Sequence, residues 1–363
     1  MKYRSIKSGK EWLDTNGNRI QAHGGSVFYK DGLYYWYGEN KEKSTKGSGL
    51  WHWGVRCYTS KDLYDWEDKG LIIKPEPNDP NSPIHPSSLM DRPHIIYNEQ
   101  TKKYVCWLKI MDRNNSLNSQ SVTILTADEF MGPYTIIKKG YKPLGMNSGD
   151  FDLAIDDKTK KVYYFFEKVH TELICAELSD DYTEVTGEYS SHFPHPRPPY
   201  TREAPVHFMR NGKHYLFTSG STGYFPNESE IAIGDDWHGP YKVLGNPHPK
   251  DRSKSSFSSQ ITDVLKIEGT DLYIAIADRW MPKFPRLSIA TKAIFNGMNR
   301  MYEKQEAGKA KKEEKSNENK KLDNFNTAFS NYVWLPIRFE GDMAIIDWKK
   351  EWRVEDYIKN TLD

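Results

Sequence analysis

Gly24-Gly25-Ser26-Val27-Phe28-Tyr29, then Asp31-Gly32, then Tyr34-Tyr35-Trp36-Tyr37 is the stretch that decides the architecture. Two runs of strand-favouring residues flank an Asp-Gly pair, and tight hairpin turns need the positive φ that such pairs adopt. The unit recurs four times. The copies are His94-Ile95-Ile96-Tyr97 with Tyr104-Val105-Cys106-Trp107, and Leu153-Ala154-Ile155 with Val162-Tyr163-Tyr164-Phe165-Phe166. They continue with Val206-His207-Phe208, Asn211-Gly212 and Tyr215-Leu216-Phe217, then Val264-Leu265-Lys266-Ile267, Glu268-Gly269 and Tyr273-Ile274-Ala275-Ile276. A weaker second hairpin follows, as in Val55-Arg56-Cys57-Tyr58 leading to Trp66, or Ile231-Ala232-Ile233 leading to Gly239-Pro240-Tyr241. Two hairpins make four strands, which is one propeller blade, and a spacing of roughly 50–70 residues suits it. The chain is therefore expected to be all-β, a five-bladed β-propeller, with residues 1–363 forming a single domain. A β-sandwich would not repeat a two-hairpin unit five times.

Outside the repeats, residues 299–326 are rich in Lys, Glu and Asn without an apolar period, and read as a solvated helix or loop inserted into the last blade. Net charge is +1 from 51 basic and 50 acidic residues, so no field steers a polyanion and nucleic acid is excluded as a partner. No membrane partner is expected either, because no run of 18 apolar residues exists to span one. The start, Met1 to Lys7, lacks a signal-peptide core. The location expected is cytoplasmic, although a secreted chain with its signal removed would read the same. Cys57, Cys106 and Cys175 each lie in an apolar run and read as buried thiols. The 15 Phe, 23 Tyr and 11 Trp suit strands, and flat rings also suit sugar binding because a pyranose has an apolar face.

In a propeller the innermost strands of all blades gather around one channel, so their N-terminal ends share a face. The residues before each first strand are His23, Asp91, Asp150, Glu203 and Gln260, lying eight, seven, six, eight and eight residues ahead of the hairpin turn. Singly, Asp91-Arg92 reads as an ion pair, Asp150 as a turn cap and Glu203 as a partner of Arg202. In register on five blades they read as a hydrolytic site. Hydrolysing an acetal needs a carboxylic acid kept protonated, and a second carboxylate nearby does this by like-charge repulsion. Glu203 and Asp150 supply such a pair. Direct displacement also needs a base, with about 6.5–9.5 Å between the two groups.

Several stretches together resemble glycoside hydrolase family 43, most closely its exo-β-1,3-galactanase-like branch. They are Asp14-Thr15-Asn16-Gly17-Asn18 through Ala22-His23-Gly24-Gly25, then Tyr35-Trp36-Tyr37-Gly38-Glu39, Asp91-Arg92-Pro93 and Arg202-Glu203-Ala204-Pro205. Further along come Thr218 to Gly223, Ser259-Gln260, Asp278-Arg279-Trp280 and Tyr332-Val333-Trp334-Leu335-Pro336. The resemblance spans nearly the whole chain. It implies an inverting, exo-acting hydrolase that releases galactose from β-1,3-linked galactosides of an oligosaccharide. It puts Glu203 at the general-acid position, Asp150 at the position that tunes and orients the acid, and Gln260 at that of a base acting through its imidic tautomer. The first blade lacks the aspartate base most members carry, so Asp91 is the second choice for that role. Two departures stand out: Asp91 where the branch has Glu, and Gly149 in Ser148-Gly149-Asp150 where it has Arg.

Substrate binding is expected from His23, Glu39, Tyr224, Asn227, Arg279 and Trp280, at strand ends or loops of the same face. Trp280 reads equally as core. No metal motif and no cofactor is indicated, with His23 the candidate contact for a Ca²⁺ in the channel. Two other readings share the fold: a β-xylosidase or α-L-arabinofuranosidase, and a propeller that binds sugar without cleaving it.

Overall fold

The computed structural model describes residues 3–112, 116–307 and 325–358. Five four-stranded antiparallel sheets follow one another along the chain, each in simple sequence order. Blade 1 is β1 (His23–Lys30), β2 (Leu33–Glu39), β3 (Val55–Ser60) and β4 (Glu67–Ile73). Blade 2 is β5 (Leu89–Asn98), β6 (Lys103–Asp112), β7 (Ser116–Ala127) and β8 (Thr135–Tyr141). Blade 3 is β9 (Ser148–Ile155), β10 (Val162–Lys168), β11 (Glu172–Leu178) and β12 (Val185–His192). Blade 4 is β13 (Arg202–Arg210), β14 (Lys213–Gly220), β15 (Glu230–Gly234) and β16 (Lys242–Gly245). Blade 5 is β17 (Gln260–Lys266), β18 (Tyr273–Arg279), β19 (Asn331–Glu340) and β20 (Met343–Ile346). The first strands contact one another in a closed ring, β1 to β5, β9, β13, β17 and back to β1, so the chain is a five-bladed β-propeller.

Local sequence explains the hairpins. Asp31 and Gly32 have φ of 51° and 83°, and Asn211 and Gly212 of 52° and 75°, the double positive φ of a turn that matches strand twist. Five apolar clusters hold the ring together, one in each seam between neighbouring blades. Trp107 and Tyr164 meet in the seam of blades 2 and 3, Tyr163 and Trp237 in that of blades 3 and 4. The three cysteines are buried and free within these seams.

Each inner strand is bulged at the same end. Residues 24–25, 92–93, 149–150 and 204–205 each oppose a single residue on the second strand, and Thr262 is an extra residue in blade 5. Gly24, Arg92 and Ala204 take φ of 60°, 55° and 48° there. A bulge re-aims the side chains beside it, and these ones surround the channel mouth.

The charged stretch begins in helix α1 (Ser288–Glu306), which lies in the connection from β18 to β19. Its remainder up to 324 falls outside the described residues. A short helix α2 (Glu355–Ile358) follows blade 5. Among the described residues no helix is long and apolar enough to cross a membrane.

Candidate active site

The loops from second to third strand emerge at the same mouth as the bulges, and together they enclose a cavity of about 560 Å³. Its floor is charged. Asp91, Arg92, Lys109, Asp150, Glu203 and Gln260 all line it.

Asp150 lies in the bulge of β9, whereas the residue in register with His23, Asp91 and Glu203 is Ser148. The bulge brings its carboxylate to the floor, where Oδ2 accepts from Arg92 Nη2 at 2.9 Å and Oδ1 from Lys109 Nζ at 2.7 Å. Burial alone would raise its pKa, but the two cations outweigh burial and hold it well below the usual carboxylate range. Glu203 is the opposite case. It accepts one hydrogen bond, from Gln260 Nε2 at 3.3 Å. Burial, reinforced by the charges of Asp150 and Glu167, pushes its pKa well above the ordinary value, and Lys109 and Arg92 offset this only in part. The pair's pKa values are thus driven apart, that of Asp150 down and that of Glu203 up.

Arg202 does not pair with Glu203. It donates to Thr218 Oγ1 at 2.9 Å and Thr218 O at 3.0 Å, and meets Glu230 at 3.1 Å. Arg92 likewise turns from Asp91 toward Asp150 and Gln260. Asp91 Oδ1 accepts from Trp51 Nε1 at 2.7 Å, with Lys41 and Lys109 at 3.5 and 3.7 Å. Gln260 is fully engaged: Oε1 accepts from Arg92 at 2.9 Å and Trp280 Nε1 at 3.1 Å, while Nε2 donates to Ser219 at 2.9 Å and to Glu203. Arg92 and Trp280 can only donate, so the oxygen of the amide must be the atom that faces them.

Of the residues expected to bind substrate, Glu39, Tyr224 and Trp280 line the cavity. Glu39 is paired with Lys41 Nζ at 2.7 Å and accepts from the backbone N–H of Arg92 at 2.9 Å, rather than from an arginine side chain. Burial pushes its pKa up to about 8, Lys41 lowering it and Asp91 adding to the rise. Tyr224 stands between Trp51 and Trp280, with ring centroids 5.8 and 5.2 Å away. The other three expectations are corrected. His23 is fully covered, its Nδ1 2.7 Å from Asp278, its Nε2 3.3 Å from Tyr332 and its ring stacked on Tyr332, which leaves nothing for a sugar or an ion. Asn227 ties Gly220 and Thr222 together, and Arg279 donates to the carbonyls of Phe257, Ser258 and Gly9. Arg279 is thus committed to backbone, and Asn227 to the Gly220 backbone and the Thr222 hydroxyl.

Sequence reasoning missed Lys41, Trp51, Lys109 and Glu167. The lysines carry no motif, and only the turn of β6 and of the β2–β3 loop aims them inward. Gly149 was a legible signal for Glu167: a Cβ there would run into the Glu167 carboxylate, so the missing side chain makes its place. Among the described residues no group of three or more His, Cys, Asp and Glu is arranged to hold a metal ion.

The family model of glycosyl hydrolases family 43 matches residues 20–275. No curated protein sequence matches the chain. Among solved structures, a family 43 β-1,3-galactosidase is 28% identical with a TM-score of 0.77, over 98% of this chain and 64% of its own. The exo-β-1,3-galactanase of Phanerochaete chrysosporium, solved with β-1,3-galactotriose, is 25% identical with a TM-score of 0.74, over 96% and 68%. That of Clostridium thermocellum is 25% identical with a TM-score of 0.71, over 96% and 66%.

Proposed function

We propose, from the premise that the chain belongs to glycosyl hydrolases family 43, that it is an exo-acting, inverting hydrolase releasing galactose from β-1,3-linked galactosides. The observation that carries this reading is the split carboxyl pair. Burial on the cavity floor and the neighbouring Asp150 charge raise the pKa of Glu203 well above its ordinary value, while Arg92 and Lys109 hold that of Asp150 down. A raised pKa is what a general acid needs in order to protonate a departing sugar oxygen near neutrality. The sugar specificity is supported by the β-1,3-galactosidase and galactanase structures that the chain resembles.

For water activation we favour Asp91 over Gln260. Gln260 touches Glu203 at 3.3 Å, whereas the two groups of an inverting pair stand about 6.5–9.5 Å apart to admit water. Its imidic tautomer would also turn an O–H toward Arg92 and Trp280, which can only donate. Asp91 is a carboxylate on blade 2, which is not adjacent to the blade 4 of Glu203. It keeps acceptor capacity beyond the one bond from Trp51.

Two substrates separate the roles. β-1,3-Galactobiose needs a proton on its leaving oxygen, and β-galactosyl fluoride scarcely does. Glu203→Gln is expected to lower kcat about 10²–10⁴-fold on galactobiose and far less on the fluoride. Asp91→Asn is expected to lower both alike, since both need the water deprotonated. Proton NMR of the first-formed galactose should show the α-anomer. Equal losses for Glu203→Gln on both substrates would remove it as the acid. Binding of galactobiose without turnover would favour a sugar-binding propeller, and turnover of aryl β-xyloside or α-arabinofuranoside alone would change the sugar.

A further inference from the structure

Helix α1 is strapped across the mouth by one face. Thr291 Oγ1 donates to Ser253 O at 3.0 Å, Phe295 meets Tyr200 edge-on at 5.1 Å, and Arg197 joins Glu303 at 3.0 Å and Glu306 at 2.7 Å. Arg197 also reaches Asn299 at 3.3 Å, and Tyr302 meets His170 at 6.4 Å. Positions 291, 295, 299, 303 and 306 recur at helical spacing, so a single stripe is anchored. It runs from the loop before β17, over the segment before β13, to the turn after β10. The flank next to that stripe carries Met298, Met301 and Tyr302, and all three line the cavity.

We infer that α1 builds the subsite for the leaving-group sugar, with Met298, Met301 and Tyr302 as its apolar wall and Glu167 and His170 as its polar edge. The inference rests on the galactosidase reading above and names what that site does beyond the bond it breaks. Height separates the two sugars. The floor holds the acid and its partners, so the ring whose bond is cleaved sits there. Met301 is 38% exposed and stands at the outer rim, where the ring on the departing side must lie. The chemistry suits a pyranose, which offers one face of C–H bonds and an edge of hydroxyls. Thioether and phenol groups cover the first, and methionine adapts to irregular shapes. For the second, Glu167 Oε1 accepts from the backbone N–H of His170 at 2.9 Å and from its Nδ1 at 3.0 Å. With Nδ1 taken up by the Glu167 carboxylate, Nε2 is the ring nitrogen left to hydrogen-bond a sugar hydroxyl. Arg197 touches no sugar; it is a positioning residue that holds the wall in place.

Fluoride, a one-atom leaving group, cannot reach α1, so the ratio of kcat/KM for galactobiose to that for β-galactosyl fluoride isolates the wall. In Met298→Ser/Met301→Ser the ratio should fall about tenfold or more, chiefly through KM for galactobiose. Arg197→Ala should lower it in the same sense and Arg197→Lys should restore part of it, with thermal unfolding confirming intact blades. An unchanged ratio in the double variant, with both substrates still hydrolysed, overturns this inference alone. Hydrolysis of neither substrate by the unaltered protein overturns the galactosidase reading, and this one with it.

Discussion

Asp150 and Glu203 share one pocket floor yet their pKa values are driven in opposite directions, and since burial acts upward on both, the difference lies in which neighbours each can reach. Asp150 has two cations within 2.9 Å; Glu203 has one amide. The sign of the consequence is definite. In the proposed role Glu203 acts when protonated, so kcat/KM is expected to fall as pH rises through its pKa, which burial, Asp150 and Glu167 have raised. Asp150→Asn removes one raising charge and leaves Arg92 and Lys109 uncompensated, and both pull Glu203 down. The alkaline limb of kcat/KM for galactobiose should therefore move to lower pH, by about one unit or more. A limb that stays in place or moves up would show that Asp150 does not tune the acid. At this scale Glu203, Asp150, Asp91 and Gln260 were legible because each lies within the first three residues of an inner strand. His23 was misread because register alone does not say that Asp278 and Tyr332 enclose it. Lys41 and Lys109 carried no signal, since a lysine in a strand or loop ordinarily faces water.

The bulge is the element that turns a ladder end into a site. Two residues facing one let Glu203 leave the strand's alternation, and the backbone achieves this with Ala204 at φ 48° and 1% exposure. A left-handed residue with a Cβ is strained, and a branched one is strained further and overfills a closed space. Ala204→Val should cost about 2–4 kcal/mol in chemical unfolding and displace Glu203, so that kcat falls in parallel. Ala204→Gly relieves the φ strain while loosening the unfolded chain, and should stay within about 1 kcal/mol. Equal stability of the valine variant would mean that the bulge yields freely and does not fix the acid. The hairpins were readable because Asp31-Gly32 and Asn211-Gly212 announce positive φ. The bulges were not, because Arg92 and Ala204 take the same φ without glycine, held by pairing on both sides. Helix α1 was read, from residue 299 on, only as a solvated helix or loop, since Met298 and Met301 are too sparse for an apolar period and its partners, Arg197 and Tyr200, lie about a hundred residues away.

Ring closure is the molecule's own problem, because every sheet consists of four consecutive strands and none is shared between the first and last blades. Four seams join blades that the chain already links; the fifth must hold blades 5 and 1 together without such a link. It is correspondingly rich in tryptophan, with Trp12 and Trp36 against Trp334 at 5.0 and 4.8 Å. Segments outside the blades staple it. Ile6 and Trp352 exchange backbone hydrogen bonds of 2.9 and 3.1 Å, Gly9 N–H donates to Tyr332 O at 2.6 Å, and Trp352 Nε1 donates to Trp334 O at 2.8 Å. Trp352→Ala should cost about 3–5 kcal/mol and do so unevenly. Hydrogen exchange should quicken first in β1, β2, β18 and β19, while β9 to β11 keep their protection. Because Glu39 and Gln260 sit on opposite sides of this seam and both bond Arg92, catalysis should fail at a lower temperature than the far blades unfold. Protection lost at one rate in all five blades would mean that the ring opens as a unit, and that the seam is no weaker than the chain-linked interfaces.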